Sequence, residues 1–120
     1  KDVTTISPEA TLVDAIELLL AKEISGMPVV DGSGKMIGLI SEKDVINHIF
    51  SGNLRRTKVK EVMTKNVTSF PPDADIDALA LTISQKHFRR VPITENNKVV
   101  GIVSRRDIIR VALNVHTAAS

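Results

Sequence analysis

Two seven-residue stretches carry the residues best suited to chemistry. GLISEKD runs from Gly38 to Asp44, and GIVSRRD runs from Gly101 to Asp107. Both read Gly, two apolar residues, Ser, two charged residues, Asp. Ser and Asp three apart at the start of a helix form a capping box in all but the Glu, because each can satisfy a backbone N–H of the first turn. Thr11 and Asp14 show the same spacing. A second reading keeps the cap and adds a ligand. A Ser hydroxyl there can donate to a phosphate oxygen, and a carboxylate one turn on can accept both hydroxyls of a ribose 2′,3′-diol. Gly38 and Gly101 permit close backbone approach or a strand irregularity. Arg105 and Arg106 follow Ser104, and Arg89 and Arg90 precede Pro92. Cations in a first helical turn oppose the helix dipole, so they read as anion recruitment or as a solvated face. Copy one is less cationic: Glu42 and Lys43 replace the arginine pair, and SGMP replaces RRVP.

The elements that must position these residues occur twice. With a shift of 64, Lys1, Val3, Thr4, Pro8 and Ala10 fall on Lys65, Val67, Thr68, Pro72 and Ala74. Pro28 then falls on Pro92. The shift becomes 63 after the next turn, where DGSGK is one residue longer than ENNK. A change of register placed at a turn is how a duplicated unit tolerates a deletion. Each copy opens on a β-rich piece, Val3–Ile6 and Val67–Phe70. A helix follows. Leu12, Ala15, Ile16, Leu19 and Leu20 form one apolar face, capped by Thr11. Ile76, Leu79, Ala80 and Ile83 form the other, with Asp75 as candidate cap. Two apolar strands joined by a tight turn come next. The last helix presents Val45, Ile46, Ile49 and Phe50 in copy one and Ile108, Ile109, Ala112 and Leu113 in copy two. The order is β-α-β-β-α, twice, in an α+β chain. The expected division is residues 1–50, a linker over 51–64, residues 65–114, and a tail over 115–120. A unit of some fifty residues makes a marginal core alone, so the two are expected to pack sheet to sheet about a pseudo-two-fold axis. The matched clefts between them are where a small ligand would go.

Composition excludes several classes. The 120 residues hold no Cys, which leaves no disulfide framework or thiolate metal site. Phe50, Phe70 and Phe88 are the only aromatic residues, which weakens a base-stacking nucleic-acid site. The net charge of +2 is far from the single-sign field of a dedicated DNA binder. No apolar run reaches the length of a membrane helix, and no signal-peptide pattern opens the chain. A cytoplasmic setting is the expectation. His48, His87 and His116 suggest no metal pair, and no Ser has a convincing His base, so the chain is read as no enzyme.

Taken together, VTTISPEATLVDAIELL, ISGMPVVDGSGKMIGLISEKDVI, VKEVMTKNVTSFPPDADIDALAL and FRRVPITENNKVVGIVSRRDII resemble a tandem pair of CBS domains, the Bateman module, over nearly the whole chain. The resemblance implies a compact disc, dimerisation of discs through their helices, and binding of AMP, ADP, ATP or S-adenosylmethionine in clefts that mix residues of both copies. It implies no required cofactor. It implies sensing, with occupancy passed to a fused or separate domain, and not catalysis. By the same resemblance Asp44 and Asp107 match the ribose-binding Asp, and Ser41 and Ser104 the residue near the phosphate. Leu39 and Ile102 match apolar residues lining the base or ribose, and Thr4 and Thr68 positions beside the adenine. Ser25, Gly26 and Met27, with Arg89, Arg90 and Val91, match the stretch that reads the adenine edge. A basic side chain there, or Arg106, can reach phosphate. The chain departs from the pattern at its start, where EVMT precedes copy two and has no counterpart before Lys1.

Other readings stand beside this one. Arg55, Arg56, Lys58 and Lys60 make a basic stretch that reads as a solvated connector or as a nucleic-acid contact, the latter with binding that falls steeply with salt. The chain also reads as a regulatory piece of an enzyme such as an inosine monophosphate dehydrogenase or a kinase, or as a structural dimeriser.

Overall fold

Leu12 begins a helix because every N–H of its first turn finds an acceptor. The computed structural model describes residues 3–50, 53–65, 67–86 and 90–111. In it, α1 spans Leu12–Lys22. The Leu12 and Val13 amides donate to the carbonyls of Thr57 and Leu54, and the Asp14 amide donates to Thr11 Oγ1. Asp14 returns the bond to the Thr11 amide at 3.0 Å, which completes the expected capping box. Glu23 closes the helix in the left-handed region at φ 52°. Leu12, Ala15 and Leu19 are buried and Ile16 is half-buried, as the periodicity predicts, but Leu20 lies exposed.

The chain divides into two compact units, residues 2–67 and residues 68–120. In the first, β1 (Gly26–Val30) pairs antiparallel with β2 (Met36–Ser41). The turn between them is held by Asp31, whose carboxylate accepts from the Ser33 hydroxyl and from the amides of Ser33 and Lys35. These bonds, the Ser33 hydroxyl foremost, lower the Asp31 pKa. The short helix α2 covers Glu42–Ile46, and α3 covers Val59–Val62. In the second unit, α4 (Ile76–Lys86) precedes β3 (Arg90–Glu95) and β4 (Lys98–Ser104), again antiparallel. Here Asn96 and Asn97 take φ of 54° and 66°, the geometry of a two-residue hairpin turn with mirror-image backbone. Residues 105–111 are helical and are called α5. Asp75 caps α4 as expected, accepting from the Asp77 amide at 3.3 Å. The fold is mixed α+β.

The duplication reaches the hydrogen bonds. Each hairpin breaks register at the same place, between Val29 and Val30 and between Ile93 and Thr94. Each opening piece contributes a single parallel bridge rather than a full strand, Ile6 to Val29 and Phe70 to Ile93. The Ile6 amide donates to the Pro28 carbonyl, and the Phe70 amide to the Pro92 carbonyl. The return bonds come from Val30 and Thr94. The bridge uses only the proline carbonyl, so Pro fits a strand position where a donor would otherwise be missing.

The first core gathers Ile6, Leu12, Ala15, Leu19, Met27, Val29, Ile40, Val45 and Val59. The second gathers Leu79, Ile83, Val91 and Ile108. The last helix of copy one is shorter than the pattern suggests. It ends at Ile46, and residues 47–50 form turns. Of its expected face only Val45 is buried; Ile46 is 60% and Phe50 98% exposed. Likewise Ile108 is buried and Ile109 is 67% exposed, while Ala112 and Leu113 lie outside the described residues.

Residues 54–64 run across the first unit instead of standing off in solvent. Val59 is fully buried, and its amide donates to Ala10 at 2.8 Å. The Lys60 amide donates to Pro8. Glu9 receives Lys58 Nζ at 2.8 Å and Lys60 Nζ at 3.0 Å. Arg55 and Arg56 stay exposed. The hydrogen bonds from Lys58 and Lys60, in that order, lower the Glu9 pKa from 4.5 to about 2, and Glu9 raises that of Lys58. A depressed carboxylate pKa stabilises the fold above its unfolded value and loses that contribution as pH falls through the folded one. The clamp is exposed, so its effect is modest and screened by salt. Glu9→Gln is expected to melt below wild type at neutral pH. The gap should close between pH 4.5 and about 2. A gap that stays constant across that range would mean the clamp adds nothing.

Candidate functional site

Each repeated Gly-to-Asp stretch turns a strand into a helix. In the first unit β2 ends at Ser41 and α2 begins at Glu42. The Ser41 amide and hydroxyl both donate to Asp44 Oδ2, at 2.9 and 3.0 Å, and the Asp44 amide donates back to Ser41 Oγ at 3.3 Å. In the second unit the Ser104 amide donates to Asp107 Oδ2 at 2.9 Å, and the Asp107 amide to Ser104 Oγ at 3.1 Å. The capping role is therefore present in both copies. Both Asp residues are half-buried.

The two corners differ in ways the shared motif hides. The Ser41 hydroxyl proton is committed to Asp44. No described residue accepts the Ser104 hydroxyl proton. Arg105 and Arg106 follow it, exposed, and Arg90 is its register partner on β3. Asp107 also lies 3.8 Å from Arg110, an exposed i,i+3 pair of small energetic weight. The first corner instead meets the chain that follows α3. The amide and carbonyl of Thr64 pair with those of Leu39 at 2.8 and 2.9 Å, and Thr64 Oγ1 lies 3.4 Å from Asp44 Oδ1.

The glycines report the same contrast. A Cβ at Gly38 would sit 2.6 Å from Met63 Sδ and 2.9 Å from the Thr64 carbonyl oxygen; at Gly101 the nearest atom is Ile93 Cβ at 3.9 Å. Gly38→Ala must push the Thr64 backbone away and is expected to cost about 1–3 kcal/mol by overpacking. Gly101→Ala should stay within about 0.5 kcal/mol, the range of an unobstructed substitution. Urea melts of the two variants check this, and equal effects would refute the contrast.

The other expected site residues fall in several settings. Ser25 and Gly26 belong to the first corner: the Ser25 carbonyl accepts from the Glu42 amide at 2.9 Å, and Gly26 is the register partner of Ser41. Met27 and Val91 are fully buried, so their side chains serve the cores. Leu39 and Ile102 are half-buried on the strands opposite Pro28 and Pro92. Thr4 and Thr68 are half-buried in the irregular residues before the bridges, with no hydrogen bond to a described residue of the corner in their own unit. Arg89 lies outside the described residues, as do His87 and His116. His48 Nδ1 sits 3.1 Å from the Asp44 carbonyl oxygen. Thr64 and Met63 escaped the sequence reading as site residues. The available signal was Val59, Val62 and Met63 at i, i+3, i+4, a helical spacing inside a stretch read as a connector.

Residues 1–51 and 59–114 match the family model described as CBS domain. The chain belongs to the CBS domain family. An uncharacterized protein of Methanocaldococcus jannaschii is 41% identical over 112 residues, which are 92% of this chain and 36% of that relative. The chain spans 36%, 22% and 39% of the first three curated relatives it matches. Among solved CBS structures, the domain pair of protein MJ0100 in complex with 5′-methylthioadenosine and S-adenosyl-L-methionine is 28% identical at a TM-score of 0.83. That match covers 96% of this chain and 91% of the other. CBSX2 in complex with AMP is 25% identical at a TM-score of 0.85, covering 96% and 90%. Thus the CBS pair accounts for both repeats. Among the described residues no helix is long and apolar enough to cross a membrane.

Proposed function

We propose that this CBS pair is a regulatory module that binds an adenosyl ligand, AMP, ADP, ATP or S-adenosylmethionine, at its Ser–Asp corners and passes occupancy to a fused or separate domain. The observation that carries the reading is the second corner. There the Ser104 hydroxyl, the Asp107 carboxylate, Arg90 as the register partner of Ser104 and Arg106 two residues on bring candidate phosphate donors and a diol acceptor to one corner. Asp44 repeats the carboxylate in the first corner, where Ser25, Gly26 and Leu39 flank it. Arg89, Met27, Val91, Ile102, Thr4 and Thr68 complete the proposed binding set. The CBS pairs solved with AMP and with 5′-methylthioadenosine and S-adenosyl-L-methionine support the ligand class. The chain carries sensing rather than catalysis in this reading, with residues 1–50 and 65–114 as its two motifs.

The exposed Ile46, Ile49, Phe50 and Ile109 leave apolar area on the last helices and the turns after α2, which supports pairing of two copies through these elements. The small share of the curated relatives that the chain spans supports a regulated domain outside it.

The diol assignment has its own test. AMP and 2′,3′-dideoxy-AMP carry the same base and phosphate and differ in the two hydroxyls Asp107 would accept. The dideoxy compound is expected to bind at least about tenfold more weakly, since hydrogen bonds to a charged acceptor are worth about 1.5–3 kcal/mol each. Equal affinities would remove the ribose role of the Asp residues.

A further inference from the structure

Asp44 has fewer open positions than its motif suggests. A carboxylate offers about four lone-pair directions. Oδ2 already accepts from the Ser41 amide and the Ser41 hydroxyl, at 2.9 and 3.0 Å. Oδ1 accepts from Thr64 Oγ1 at 3.4 Å. One direction remains, and a vicinal diol needs two. Something must give way when a ribose arrives, and the geometry ranks the candidates. The Ser41 amide belongs to the backbone of the corner. The Ser41 hydroxyl is held on both sides, since it also accepts the Asp44 amide. Thr64 makes the longest of the three contacts, its hydroxyl is exposed, and it donates through a single bond.

We infer that Thr64 is a latch on the first corner: its hydroxyl holds the position on Asp44 that a ligand diol must take, so binding there expels it. This rests on the adenosyl-ligand reading above and adds the residue that opposes binding and the segment that responds. The segment follows from what Thr64 is tied to. Its backbone pairs with Leu39, Met63 lies over Gly38, and the Met63 amide closes α3 on the Val59 carbonyl. Val59 in turn is anchored in the core beside α1. Ligand at Asp44 therefore loosens residues 62–64 at the end of the connector while Val59 stays fixed. The first corner reports its occupancy through the chain that leads into the second motif.

Thr64→Val removes the donor and keeps the shape and the Leu39 backbone pair; Thr64→Ser keeps the donor. Calorimetry with AMP and with S-adenosylmethionine, on protein shown folded by circular dichroism, is run in an Asp107→Ala background that isolates the first corner. Thr64→Val is expected to bind about threefold more tightly there, the value of one weak hydrogen bond. Thr64→Ser should bind like its parent. In an Asp44→Ala background Thr64→Val should change nothing. Amide exchange at residues 62–64 should speed up on saturation only when Asp44 is present. Unchanged or weaker binding in Thr64→Val, or no first-corner binding with either residue, overturns the latch while second-corner binding keeps the sensor reading intact. Absence of binding by the wild-type chain overturns the sensor reading and the latch with it.

Discussion

Asp107→Ala is expected to weaken binding of the preferred adenosyl ligand by at least about tenfold, and by about a hundredfold or more if both diol bonds form, because each bond to a carboxylate contributes about 1.5–3 kcal/mol. The substitution also deletes the acceptor of the Ser104 amide, a first-turn cap worth about 1 kcal/mol. The two losses separate by experiment. Ser104→Ala removes the acceptor of the Asp107 amide but leaves the carboxylate in place. A stability loss shared by both variants measures the cap, and a binding loss larger in Asp107→Ala measures the diol. Asp44→Ala should show the same pattern in the first corner, offset in part because Thr64 already occupies one oxygen. Wild-type affinity in both Asp variants would mean that the ribose lies elsewhere.

Leu12→Ala is expected to have the largest effect on stability, about 3 kcal/mol, the middle of the range for a buried Leu reduced to Ala. Three features place Leu12 at the centre of the first core. Its side chain is fully buried, it stands directly after the Thr11 cap, and its amide donates to the Thr57 carbonyl of the connector. A cavity there therefore loosens α1 and the contacts that hold residues 54–60. Set against a total stability of about 5–15 kcal/mol, the loss is large. Urea unfolding followed by far-UV circular dichroism measures it, since the chain has no Trp or Tyr to report by fluorescence. Leu20→Ala is the control, because Leu20 shares the helical periodicity but is 73% exposed and should cost about 0.5 kcal/mol or less. Equal losses would mean that α1 packs by a different face.

Those two leucines show where sequence and structure part. Periodicity finds an apolar stripe but not its edge, and Leu20 sits where the stripe leaves the core. Ile46 and Phe50 teach the same lesson more sharply: their spacing is helical, yet α2 ends at Ile46, which is itself exposed, and leaves Phe50 beyond it. Residues 31–35 and 95–98 were legible because turn chemistry is local. Asp31 organises its own neighbours, and Asn96–Asn97 accept positive φ. The capping pairs Thr11–Asp14, Ser41–Asp44 and Ser104–Asp107 were legible for the same reason, spanning three residues each. What the sequence hid is long-range. Glu9 meets Lys58 and Lys60 across some fifty residues, and Thr64 reaches Asp44 across twenty. No periodic pattern records such contacts, and the basic residues of the connector read as solvated until Glu9 is placed beside two of them. The inequality of the two corners was hidden likewise. Their letters match, but one Ser donates to its own Asp, while the hydroxyl proton of the other has no acceptor among the described residues.

The most direct test of the sensor reading is calorimetric titration of the folded, nucleotide-free chain with AMP, ADP, ATP and S-adenosylmethionine. Saturable binding of at least one of them, at one or two per chain and lost or sharply weakened in Asp107→Ala, is the predicted result. No heat with any of the four, on protein whose fold is intact, would contradict it.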